Sequence, residues 1–149
     1  MYNYLRIYLK VKKLIISSMF TMFKKQKVTV EGISMEPTFF NGQKIELNNI
    51  FFRFTPQRFN IVKFKHEKIS KLKRVVGLPT EHIEFINNKI MINGVYLKEN
   101  FSADNTNYLN QSFEILKNEI FVLGDNRNYS KDSRDFGPIK LNKVVSFLD

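Results

Sequence analysis

From residue 28 onward the apolar positions come in short runs, not at helical spacing. VTVEGI (28–33), QKIELNNIFF (43–52), FNIVKFK (59–65), HIEFI (82–86), KIMINGVYL (89–97) and EIFVLGDN (119–126) are the clearest. Side chains alternate between faces along a strand, so runs of this length and period predict strands. Turn-forming pairs separate them: Asn41-Gly42, Asn48-Asn49, Asn87-Asn88, Asn93-Gly94 and Gly124-Asp125. Asparagine and glycine tolerate the left-handed backbone that tight hairpin turns require, so the pattern predicts a mainly β, antiparallel region. HIEFINNKIMINGVYLKEN (82–100) reads as two consecutive hairpins, turning at Asn87-Asn88 and Asn93-Gly94. The polar stretch 102–112 reads as a loop. There is no internal repeat, and 28–149 is read as one domain.

Residues 1–27 have a different texture, mixing apolar and basic residues in LRIYLKVKKLIISSMFTMF (5–23). This segment predicts a short helix. Its longest uncharged run, 14–23, has ten residues, which as a helix spans about 15 Å of a hydrocarbon core about 30 Å thick. An interfacial anchor, a short span and a partner-binding helix all fit. A cleavable leader fits less well, because the run leads straight into KKQK (24–27) without a small-x-small site.

Charge sharpens this division. The net charge is +10, and the first 30 residues carry seven of the 24 basic residues (Arg6, Lys10, Lys12, Lys13, Lys24, Lys25, Lys27) and none of the 14 acids. A basic, partly apolar arm suits an anionic surface, lipid or nucleic acid. Cysteine is absent, which excludes disulfides, thiolate metal sites and a cysteine nucleophile.

Three strings carry candidate chemistry: GISMEPT (32–38), KLKRVVGLP (71–79) and GDNRNYSKDSRDFGP (124–138). Ser34 stands between a glycine and a Pro-Thr pair that can hold a rigid turn, but a serine hydroxyl needs a base within hydrogen-bond reach before it is a useful nucleophile. Lys73 adjoins Leu72, Val75 and Val76; a lysine drawn into such surroundings loses hydration, which lowers its pKa and allows a neutral amine to take a proton. In the third string Asp132 and Arg134 are placed to pair across a bend, and Ser130 to orient an amine. Taken singly, they read as a turn serine, a solvated basic cluster and a surface loop. A Ser-His-Asp arrangement with His66 or His82 is the other serine-based possibility, although neither histidine lies in these strings.

In this order and combination the strings resemble those of the bacterial type I signal peptidases, Ser/Lys-dyad proteases, over roughly residues 28–139. The resemblance implies an antiparallel β catalytic domain, Ser34 as nucleophile and Lys73 as general base. It implies an oxyanion hole built partly from the Ser34 N–H. The position that can add a hydroxyl to that hole falls on Gly32, which has none. Met35 and Pro37 match residues that hold the nucleophile turn, Ser130 the residue that orients the lysine, and Asp132 with Arg134 a supporting pair. Two departures stand out: Thr80-Glu81 follows Pro79 where the family has Gly-Asp, and the N-terminal anchor is short and basic. If 14–23 crossed a membrane, Lys24, Lys25 and Lys27 would lie outside, against the usual inner placement of positive charge.

The resemblance further implies preprotein signal peptides as substrates, cut after small residues at the first and third positions before the bond. It implies membrane lipid as a partner, no nucleic acid, neither metal nor organic cofactor, a monomer, and a catalytic domain on the outer face of the cytoplasmic membrane. A self-cleaving repressor-like Ser/Lys protein would be expected to carry a helix-turn-helix domain, which is not expected before Val28. A non-enzymatic basic binding module accounts for the arm but not for the three strings.

Overall fold

The computed structural model describes residues 6–13, 25–50, 53–101 and 108–149. Residues 6–13 form helix α1, exposed throughout. The rest is built from β1 (Gln26–Thr29), β2 (Lys44–Asn49), β3 (Ile61–His66), β4 (Ile69–Gly77), β5 (His82–Ile86), β6 (Lys89–Ile92), β7 (Val95–Tyr96), β8 (Gln111–Glu114), β9 (Glu119–Leu123), the single-turn helix α2 (Ser133–Phe136), β10 (Ile139–Lys140) and β11 (Val144–Leu148).

The strands form two sheets. Seven run in the order β1-β2-β11-β3-β4-β9-β10, four in the order β7-β6-β5-β8, and every pairing is antiparallel. The expected double hairpin is β5-β6-β7. Asn87, Asn88, Asn93 and Gly94 all have positive φ at its turns, the backbone that two-residue hairpins demand.

The buried strands explain why the sheets stack. On β9, Ile120 and Val122 enter one core with Val62, Phe64 and Val75. Phe121 and Leu123, on the opposite face, enter a second core with Ile83, Phe85 and Ile92. β4 divides likewise, Val75 to the first core and Val76 to the second. A strand apolar on both faces must be covered on both, and the four-stranded sheet supplies the second cover. A third, smaller core of Val30, Ile45 and Leu47 seats β1 and β2, with Leu72 packed against it.

Two expectations differ. Asn48-Asn49 is not a turn: it ends β2, with Asn48 opposite Phe147 and Asn49 opposite Ser146 of β11. The stretch read as a loop to residue 112 becomes strand at Gln111, where β8 pairs with β5; the part at 102–107 lies outside the described residues. The uncharged run 14–23, on which the anchor reading turned, also lies outside them. Among the described residues no helix is long and apolar enough to cross a membrane.

Candidate active site

The turn that carries Ser34 grows out of the end of β1. Val30 and the 42–43 region close its base, with Val30 N donating to Gln43 O and Gly42 N to Val30 O, both at 2.8 Å. Gly32 enters the turn at φ +78°, a backbone that favours glycine. Its N–H donates to Asn41 Oδ1 at 2.8 Å, so Gly32 serves the turn's shape. Glu36 N closes back on Ile33 O at 3.1 Å, and Phe39 N on Met35 O at 2.9 Å. Met35 is buried at 1% exposure, and Pro37 follows Glu36 through a cis bond. Ser34 is thereby held at the lip of a cleft of about 300 Å³ that runs between residues 28–31 and 69–73.

Lys73 comes to Ser34 from β4. Its Nζ donates to Ser34 Oγ at 2.6 Å and to Leu72 O at 3.0 Å. Val62, opposite it in register, and Val75 are both fully buried, and Lys73 itself is only 4% exposed. Burial disfavours the charged amine and lowers its pKa from 10.5 to about 8; Asp132 and Asp125 pull it back up, while Lys71 and Arg134 push it further down.

The third string forms the wall behind this pair. Asn126 N donates to Ser34 O at 3.1 Å and Asn126 Nδ2 to Ile33 O at 3.2 Å. Gly124 lets the wall approach: a Cβ there would overlap both the Ser130 side chain and the Ser34 carbonyl oxygen. Ser130 is therefore brought beside Ser34, but it does not hydrogen-bond to the amine as the resemblance implied. Its Oγ is the buried side-chain polar atom without a partner among the described residues. Asp132 and Arg134 do pair, Nε to Oδ1 at 2.8 Å and Nη2 to Oδ2 at 2.9 Å. Asp132 also caps α2 in a reciprocal capping box with Asp135, and accepts from Gly124 N at 3.0 Å. One buried carboxylate thus joins the helix, the arginine and the glycine behind Ser34.

Several supporting residues were not singled out from sequence. Asp125, fully buried, takes Arg74 in a two-pronged pair (2.8 and 2.7 Å) and a bond from the Thr38 hydroxyl at 2.5 Å. It so ties the nucleophile turn to β4, and the Arg74 guanidinium lies 3.9 Å over the Phe101 ring. Arg127, also buried, donates to Gly124 O at 2.8 Å, Tyr108 Oη at 2.6 Å and Glu99 at 2.5 and 2.9 Å. Burial works against its charge, but Glu99 carries its pKa above the ordinary value. Glu81 pairs with Arg58 and accepts from Leu78 N at 2.7 Å, so the acid after Thr80 keeps a structural task. The available signal was a charge inside or beside an apolar run, as with Arg74 before VVG and Asp125 after FVLG. Such charges must be partnered when buried, but strand register decides with whom.

Neither histidine joins the site. His66 stacks on Phe136 at 4.1 Å, and His82 Nδ1 contacts Glu114 at 2.6 Å.

The family model "Signal peptidase, peptidase S26" matches residues 4–148. The chain belongs to the peptidase S26 signal peptidases. It is 37% identical over 137 residues to signal peptidase I V of Bacillus subtilis, covering 80% of each chain. It is 31% identical to signal peptidase IB of Staphylococcus aureus, over 78% of this chain and 72% of the relative. A solved signal peptidase I from Enterococcus faecalis superposes with a TM-score of 0.57 at 32% identity, over 66% of this chain and 100% of that one. The protein is accordingly a serine endopeptidase of signal peptidase I type, a hydrolase that removes signal peptides from preproteins. The family match takes in the N-terminal arm as well as the β region.

Proposed function

We propose that this signal peptidase works through Ser34 as nucleophile and Lys73 as general base. The observation that carries the reading is the 2.6 Å contact between Lys73 Nζ and Ser34 Oγ, made by an amine whose burial brings its pKa to about 8. A base near the working pH is the efficient choice for general catalysis. Neutral Lys73 takes the Ser34 proton as Oγ bonds to the scissile carbonyl carbon. The oxyanion is received by the Ser34 N–H, which the fixed turn aims at one place. When the tetrahedral species collapses, the C–N bond breaks and Lys73 returns the proton to the leaving amine. A water activated by the same amine then releases the acyl group from Ser34. The Ser130 hydroxyl, buried beside Ser34 and without a partner of its own, is the group left free to turn to that amine during the reaction, and the Asp132–Arg134 and Asp125–Arg74 pairs hold the wall behind it.

An extended substrate fits the cleft. β1 is an edge strand, and β4 is paired to β9 only from Arg74 onward. The 28–31 and 69–72 backbones therefore border the cleft with open edges to which a peptide can add as a strand. Around Ser34, Val28, Val30, Met35 and Leu72 line shallow apolar walls, in keeping with small residues before the cut. For the arm, exposed Ile7, Leu9 and Val11 among Arg6, Lys10, Lys12 and Lys13 favour binding to anionic lipid. The reading places a monomeric catalytic domain, residues 28–149, on the outer face of the cytoplasmic membrane, where preproteins emerge.

The test is cleavage of a preprotein with a small-x-small site by wild type, Ser34→Ala, Lys73→Ala and Lys73→Arg. Wild type should cut, and all three variants should fall to background, arginine because it stays protonated. Wild-type kcat/KM should rise tenfold per pH unit toward an inflection near 8, since only the neutral amine is a base. Residual cutting by Lys73→Ala would place the base elsewhere and sink the dyad.

A further inference from the structure

The cleft that holds Ser34 contains two lysines that the chemistry does not use. Lys71 lies two residues before Lys73 on β4, and Lys63 lies on β3 opposite Leu72. Both line the cleft and both are half-buried. Among the described residues neither is paired with an acid, whereas Arg58, Arg74, Arg127 and Arg134 each are. Lys73 itself is the third ammonium of the group, and its charge is the one burial suppresses. Among the described residues Glu31 is the single acid that lines the same cleft, and it is exposed on the opposite wall. Half-burial removes part of each ammonium's hydration, so a carboxylate entering the cleft recovers interaction energy there, while a further cation meets an unpaired like charge.

We infer that Lys63 and Lys71 form a cationic subsite by which this enzyme selects among preproteins, favouring an acidic side chain near the scissile bond and rejecting a basic one. The inference rests on the Ser34–Lys73 reading of the cleft. Two residues of extended chain span about 6.6 Å, so with the scissile carbonyl at Ser34 the selected side chain lies two to four residues from the bond. A substrate strand along the open edge of β4 presents alternate side chains to Lys71 and to the Lys63–Leu72 side.

The experiment measures kcat/KM for full-length enzyme in neutral detergent, so that no anionic lipid competes for the lysines. The substrates are peptides with one small-x-small site carrying Ala, Asp or Lys at the second, third or fourth position on either side of the bond. Wild type should prefer Asp over Lys about five- to tenfold at one or two of these positions, and the ratio should shrink in high salt. Lys71→Glu or Lys63→Glu should invert it at the position each lysine faces, and Lys→Gln should bring it near one. Because the Asp/Lys ratio is taken within one enzyme, loss of folded protein cancels. A wild-type ratio near one at every position, or a ratio untouched by both charge reversals, overturns the subsite while leaving the dyad standing. Failure of wild type to cut any peptide, including the Ala set, would count against the reading of the cleft itself.

Discussion

The proposed mechanism asks Lys73 to be buried and to be a base, and the two demands are one physical effect. Removing the amine from water lowers its pKa from 10.5 to about 8, and the same desolvation costs stability whenever the amine is protonated. The folded pKa lies below the unfolded one, so the unfolded chain holds more protons between pH 8 and 10.5 and stability rises across that window. Below pH 8 the full penalty applies, about 3 kcal/mol for this shift. Lys73→Met should therefore be more stable than wild type at pH 7 while inactive, with the advantage fading as pH approaches 10.5; urea midpoints of both proteins at pH 7 and 10.5 measure it. An advantage independent of pH would mean packing, not charge, sets it. Thr80 shows strain of another kind. It sits at φ +68°, where a β-branched residue is disfavoured. Thr80→Gly should raise stability by about 1 kcal/mol, read from the thermal midpoint, with cleavage unchanged. A lowered midpoint would show that the Thr80 side chain contributes more than its backbone costs.

At the level of elements, the site is three segments drawn together at Gly124: the turn of Ser34, the strand of Lys73 and the loop leading into α2. Asp132 holds α2, Arg134 and Gly124 N at once, and Asp125 links Arg74 to Thr38. These buried carboxylates make the wall rigid, but they cannot make room. Room comes from the missing side chain at 124, where a Cβ would overlap Ser130 and the Ser34 carbonyl. Gly124→Ala should push the wall off the nucleophile turn, costing about 1–3 kcal/mol in stability and about a hundredfold in kcat, the order expected for a misplacement near 1 Å. Steady-state kinetics on a small-x-small peptide checks this. A loss confined to KM would place the damage in the cleft walls instead.

At the scale of the whole molecule, two cores share β4 and β9, and the third seats β1 beside the cleft. The strand that carries Lys73 is thus anchored from both faces, while α1 is exposed along all its described length. Deletion of residues 1–24 should leave peptide cleavage in detergent within about twofold of wild type but abolish co-sedimentation with vesicles containing anionic lipid. Co-sedimentation that survives the deletion would transfer lipid binding to the β domain. Loss of cleavage in detergent would mean that the arm is part of the catalytic fold.

What can be seen in the chain alone is whatever depends on neighbours in sequence. The double hairpin at 82–96 was legible because Asn87-Asn88 and Asn93-Gly94 set their own backbone. The Ser34, Lys73 and 124–138 strings were legible because each keeps its local chemistry together. Asp132 with Arg134 was legible because the partners are two residues apart. The Asn48-Asn49 pair misled, since a partner strand from the C-terminal end holds it extended, and the start of β8 was hidden in a polar stretch that only β5 turns into strand. The distance from Lys73 to Ser34, the pairing of Arg74 with Asp125 and of Arg127 with Glu99, and the gap that Gly124 leaves all depend on register between segments far apart in the chain. Burial decides them, because a buried charge needs a partner, and a lysine's pKa falls, only once the fold has removed the water.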